Sequence, residues 1–157
     1  MTGDQFRCNI ANGVVPSVTS NIAALTIAGN YNTWALNYFT ITEQTDASRS
    51  GPLAVYSHDG LPNLVKYALG LDPKQNATTG LPIVTMNATE WVYTYNRPSD
   101  RTDINYIVEV STDLVHWSTQ GVIHEFVSTS NGTDIWHARY PLASNPNVFF
   151  RLRIEQP

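Results

Sequence analysis

A chain of 157 residues, 42% hydrophobic, 11% aromatic and only 14% charged, holds enough apolar material for one buried core without covalent staples. Its net charge is −4 and it has no basic run, which excludes a protein that grips nucleic acid through the phosphates. No stretch reaches the roughly 18 apolar residues of a membrane-spanning helix, and the single cysteine, Cys8, permits no internal disulfide. Low charge combined with many Tyr, Trp, Thr and Asn points to a β-rich extracellular protein.

Residues 1–30 are rich in Asn, Ser, Thr, Val and Ala. Segments 14–18 and 22–28 have strand character, and Pro16 confines the first to an edge or a loop. The opening residues lack the basic start and apolar run of an export signal, so a secreted chain is expected to have lost that signal or to carry it on a longer parent.

From Tyr31 the pattern becomes helical. Trp34, Tyr38 and Ile41 are spaced by four and three, which predicts a helix over 33–41. Residues 43–52 are polar and turn-like. Leu61, Leu64, Val65, Ala68 and Leu69 then recur at helical spacing, with Gly70 to cap and Pro73 to stop the element.

Beyond Leu81 the chain alternates as strands do. Trp91, Tyr93 and Tyr95 share one face of a strand, as do Tyr106, Val108 and Val110, and later Val148, Phe150, Leu152 and Ile154. Segments 122–128 and 133–140 supply two more. Turn signals stand between them at 97–100, 130–132 and 144–146. The expected fold class is mostly β: a β-sandwich of immunoglobulin or jelly-roll type with about seven strands and a short two-helix preamble. The expected organisation is an N-terminal strand or linker segment (1–30), a helical preamble (31–73) and a β-sandwich domain (81–157).

The preamble contains a degenerate calcium-type loop. An EF-hand-like loop places oxygen ligands at positions one, three and five, Gly at six and a bidentate acid at twelve. With Asp59-Gly60 as five and six, position one is Val55, three is Ser57, nine is Asn63 and twelve is Lys66. Ser57, Asp59 and Asn63 offer oxygens, Val55 offers none, and Lys66 puts a cation where the acid belongs. Calcium is therefore disfavoured and no cofactor is expected. Gly60 is expected to keep turning the chain, and Asp59 or Ser57 to cap the following helix.

The ordered set of motifs resembles a C-terminal accessory module of large secreted proteins of planctomycete- and verrucomicrobia-type bacteria. The residues that carry the resemblance are Trp34 and Phe39, then DGLPNLVKYALGLDP from Asp59 to Pro73, Tyr95-Asn96-Arg97, YIVEVSTDLVHW from Tyr106 to Trp117, and the closing Phe149-Phe150-Arg151-Leu152-Arg153. The loop is also similar to those of dockerins and thrombospondin type 3 repeats. The resemblance implies a non-catalytic appendage following a catalytic, lectin-like or adhesive domain, and it implies no catalytic residues.

The chemistry-bearing residues agree with that. His58, His116, His124 and His137 match no metal-ligand spacing, and no nucleophile elbow is present. Glu90, Glu109, Asp113, Glu125 and Asp134 qualify as paired carboxylates by type only. Trp117 is expected to plug the core. Arg97, Asp103 and Asp113 flank one hairpin, and Arg151 and Arg153 share a face with Phe149. Asn76, Asn87 and Asn131 begin N-x-T triplets.

Sugars stack apolar C–H faces on flat aromatic rings while polar side chains bond their hydroxyls. The candidate carbohydrate-binding residues are Trp136, Tyr140, Trp91 and Tyr93 for stacking and Asp134 for a hydroxyl. The leading expectation is a secreted polysaccharide-binding module whose partners are a glycan and an upstream catalytic or adhesive domain, with no nucleic acid and no membrane insertion. Two alternatives stand beside it: a structural or surface-attachment module, and a small metal-dependent enzyme.

Overall fold

The computed structural model describes residues 5–6, 9–10, 18–19, 23–24, 29–142 and 147–157. Cys8, most of the strands expected at 14–18 and 22–28, and the turn at 144–146 lie outside them. Within the N-terminal segment, β1 (Gln5–Phe6) pairs antiparallel with β4 (Ala23–Ala24), and β2 (Asn9–Ile10) pairs with β3 (Val18–Thr19).

Four helices precede the main sheets, where two were expected: α1 (Tyr31–Tyr38), α2 (Ile41–Gln44), α3 (Ala47–Ser50) and α4 (Asn63–Leu69). α1 starts two residues before the expected 33 because Asn30 and Thr33 form a capping box. The two unexpected helices lie at the start of and within the polar 43–52 segment. α2 is a single turn closed by a reciprocal Thr40–Glu43 capping box, and Asp46 caps α3. The buried face of this layer is aromatic: Tyr31, Trp34, Phe39 and Tyr67 pack in edge-to-face and tilted pairs with ring centroids 5.3–6.4 Å apart.

α4 ends in a Schellman motif. Gly70 turns left-handed at φ 72°, and the Leu71 N–H donates to the Lys66 carbonyl at 2.8 Å. The helix start corrects the sequence reading: Pro62 is the N-cap and no side chain caps there. Asp59 instead accepts the Leu61 N–H at 3.0 Å, one turn too early to act as a cap. Gly60 does turn the chain, at φ 82°.

The β region is two antiparallel sheets. One has four strands in the order β5 (Ile83–Met86), β6 (Glu90–Pro98), β9 (Thr133–Pro141) and β8 (Ile123–Ser130). The other pairs β7 (Asn105–Ser111) with β10 (Phe149–Glu155). Among the described residues this makes six strands beyond Leu81, one fewer than expected. β8 and β9 meet through Asn131-Gly132, both at positive φ (50° and 74°), the conformation a two-residue hairpin needs to match strand twist.

The sheets face each other across Tyr93, Tyr95, Val108 and Ala138, with Tyr106, Phe150 and Leu152 packed against them. The face of β6 that carries Trp91, Tyr93 and Tyr95 is thus the core face. A second core lies in the helical layer, and Tyr106 belongs to both. Polar bonds join the layers at the same place. Asp103 accepts the Tyr31 N–H at 2.9 Å and the Tyr67 hydroxyl, and the Tyr106 hydroxyl donates to the Ala68 carbonyl at 2.7 Å. The Arg101 guanidinium lies 4.3 Å over the Tyr67 ring.

Candidate functional site

Two places carry chemistry: a groove at one end of the sandwich, and the loop around Asp59. The groove holds about 420 Å³ between the ends of β7 and β9. Val110 and Ser118 build one wall by exchanging two backbone hydrogen bonds of 2.9 and 3.0 Å. Tyr140 and Pro141 also line the groove, and Ser111, Thr112, His116 and Gln120 supply polar atoms. Gly121, at φ 79°, lies so close to Tyr140 that an added Cβ would stand 3.3 Å from the ring. The loop therefore seats the Tyr140 ring and leaves it on the groove.

The turn that presents His116 is rigid. Asp113 Oδ1 accepts the Val115 and His116 N–H groups at 2.9 and 2.8 Å, and Ser111 Oγ accepts those of Asp113 and Leu114. The Asp113 carboxylate holds His116 Nδ1 at 2.6 Å and fixes the exposed imidazole. This pairing raises the His116 pKa and holds the Asp113 carboxyl well below the usual carboxylate range.

The five residues proposed for sugar binding share the inward face of the four-stranded sheet but do not converge. Trp91 and Tyr140 stand directly opposite each other on β6 and β9. Asp134 lies six residues from Tyr140 along β9, about 20 Å away at strand rise. Its carboxylate accepts the Thr129 and Ser99 hydroxyls at 2.6 and 2.8 Å, which lower its pKa. Tyr93 is buried, with its ring stacked on Phe150 at 5.5 Å, so no ligand reaches that face. Trp136 is half-buried against Phe126 and under the Arg97 guanidinium. Trp91 is half-buried, and its indole N–H has no acceptor among the described residues. Of the five, Tyr140 alone lines the groove.

The remaining candidates disperse. His124 and His137 point to opposite faces of the four-stranded sheet, and His116 sits in the groove loop. No cluster of three metal-ligating side chains occurs among the described residues. Trp117 is not a core plug: it is half-buried, donates its indole N–H to the Leu114 carbonyl, and lies 4.3 Å beneath the Arg151 guanidinium. Arg97, Asp103 and Asp113 form no cluster. Arg97 covers Tyr106, Asp103 joins the layers and Asp113 builds the turn. Arg151 and Arg153 converge on the buried Glu109 carboxylate at 2.8 and 3.3 Å.

The Asp59 loop gathers only two of its three expected oxygen donors. Ser57 Oγ and Asp59 Oδ2 come together, whereas Asn63 turns away and donates its amide to the Arg49 and Gly51 carbonyls at 2.8 and 3.0 Å. Sequence reasoning missed Gln75, whose carbonyl joins the Ser57–Asp59 group. A backbone oxygen leaves no trace in residue identity. It also missed His116 and Gln120 as groove residues, for which no sequence signal was available beyond the Asp113 turn.

Comparison with protein-family models, curated proteins and solved structures finds no match to this chain.

Proposed function

We propose that this chain is a non-catalytic accessory module of a secreted protein and binds polysaccharide in the groove between the ends of β7 and β9. Tyr140 offers its ring to the C–H face of a sugar, while His116, Gln120 and the Ser118 hydroxyl stand ready for sugar hydroxyls, and the buried Ser111 hydroxyl holds the turn. The observation that carries this reading is the groove's lining, one seated aromatic ring beside polar side chains that a hydrogen-bonded turn holds in place. Tyr140 remains from the aromatic set first considered, and Trp91 stands opposite it on β6 outside the groove lining. Tyr93 serves the core, and Asp134 and Trp136 lie further along the strand.

Affinity electrophoresis against a panel of soluble and insoluble polysaccharides tests this. Retardation by one polymer class, lost in Tyr140→Ala and kept in Trp136→Ala, supports the groove. Retardation lost only in Trp136→Ala moves the site along β9.

A second reading, a structural module docking on a neighbouring domain, is favoured by one observation. The two outer strands of the four-stranded sheet expose Ile83, Met86, Ile123 and Phe126. No retardation by any polymer would turn the choice to this reading.

A further inference from the structure

The Asp59 loop has the turn of a calcium loop but not the ligand set, and the misfit identifies what replaces the ion. Lys66, at position twelve, is fully buried. Its ammonium lies 2.8 Å from Asp59 Oδ2 and 2.7 Å from the Gln75 carbonyl, and it also donates to Ser57 Oγ. An ammonium has three N–H donors and no acceptor, and here three oxygens meet it. Ser57 and Asp59 occupy positions three and five, where ligands of a divalent ion stand. One carboxylate faces one ammonium, so the charge balances. A divalent ion added to this cluster would stand against a buried positive charge with a single carboxylate to hold it. The residues do not fit calcium.

We infer that the Lys66 ammonium is the loop's own cation, that the loop folds without any divalent ion, and that the side chain at 66 decides whether it needs one. The α4 helix carries the Cα of residue 66 to the rim of the loop. From there a lysine places its nitrogen among the oxygens, whereas a glutamate, shorter, places a carboxylate beside the same spot. Glutamate would complete a set of Ser57 Oγ, two carboxylates and the Gln75 carbonyl around an empty centre. This inference is independent of the groove and of any glycan.

Thermal unfolding of the whole chain in millimolar calcium chloride and in excess EDTA tests it, with calorimetric titration of calcium alongside. The wild-type Tm is expected to be the same in both, with no heat of binding. Lys66→Met is expected to fall by about 10 °C, equally in both, because it strands the Asp59 carboxylate. Lys66→Glu is expected to be destabilised in EDTA and to regain Tm in calcium. A wild-type Tm that rises in calcium overturns the inference, as does Lys66→Met with wild-type stability. A Lys66→Glu chain that behaves alike in calcium and EDTA, folded or not, overturns the claim that residue 66 sets metal dependence.

Discussion

Asp103 does more for this fold than its place in a short connection suggests. Its two carboxylate oxygens accept from different elements of the helical layer, the Tyr31 N–H at the start of α1 and the Tyr67 hydroxyl in α4. Burial, and then the bond to Asp103, push the Tyr67 phenol far above its ordinary pKa, so it stays a donor at any working pH. Asp103→Asn turns an NH₂ group toward one of these donors. It is expected to cost about 1–3 kcal/mol, read as a lower urea midpoint with an unchanged m-value. An unchanged midpoint would mean that the junction is held by packing alone. Neither Asp103 nor Lys66 could be assigned from sequence. Lys66 was legible as a residue out of place in a calcium loop, because spacing alone exposes a cation at position twelve. Two of its three oxygen partners, Ser57 and Asp59, were legible as donors of the loop, and the third was not, since it is the Gln75 backbone carbonyl. Trp117 was misread for a similar reason: its partner Arg151 lies 34 residues later and meets it only across the paired strands.

Elements were more legible than residues where their pattern was long. Strands of seven to nine residues with alternating apolar positions emerged at β6, β7, β9 and β10, because a buried face fixes the register of every second side chain. The one-turn helices α2 and α3 were not read, since four residues show no period. Only their caps could have revealed them, and Thr40-Ile41-Thr42-Glu43 is such a signature. The aromatic face of β6 was visible, but its direction was not. A core face and a sugar platform have the same alternation, and only the sheet of β7 and β10 packed over Tyr93 and Tyr95 separates them. Two glycines test how elements join. Gly132 and Gly70 have nearly the same φ, 74° and 72°, but a Cβ at Gly132 meets nothing within 4 Å, whereas one at Gly70 meets Pro98 Cγ at 3.0 Å. Gly132→Ala is expected to lose about 1–2 kcal/mol, the backbone cost alone. Gly70→Ala is expected to lose more, and the excess in urea unfolding reports how tightly α4 presses on the end of β6. Equal losses would show that contact to be slack.

At the scale of the whole molecule the helical layer and the sandwich share Tyr106, Asp103 and Arg101, so they are expected to unfold together. Acid is the sharpest way to ask. The Lys74 ammonium, then the Thr40 N–H and the Tyr56 hydroxyl, hold the Glu43 carboxyl down at about 2. Burial opposes the charge of Asp59, but the Lys66 ammonium and the Ala77 and Leu61 N–H groups outweigh it and keep that carboxyl well below the usual carboxylate range. Both folded pKa values are depressed, so between them and the unfolded values, about 4, the unfolded chain binds more protons. The stability these groups give is complete above that range and is lost as pH falls through the folded values. Tm is therefore expected to hold from neutral pH to about 4.3 and then to fall steadily toward 2. Glu43→Gln, with no carboxyl to titrate, is expected to start lower and fall less steeply. Both acids sit in the helical layer, so an independent layer would melt first in acid. Trp34 reports that layer, and Trp91 and Trp136 report the sandwich. If the junction couples the layers, tryptophan fluorescence and far-ultraviolet circular dichroism will give one coincident transition at pH 3 as at pH 7. Separate midpoints at pH 3 would mean that the Asp103 junction does not transmit the acid loss to the sheets.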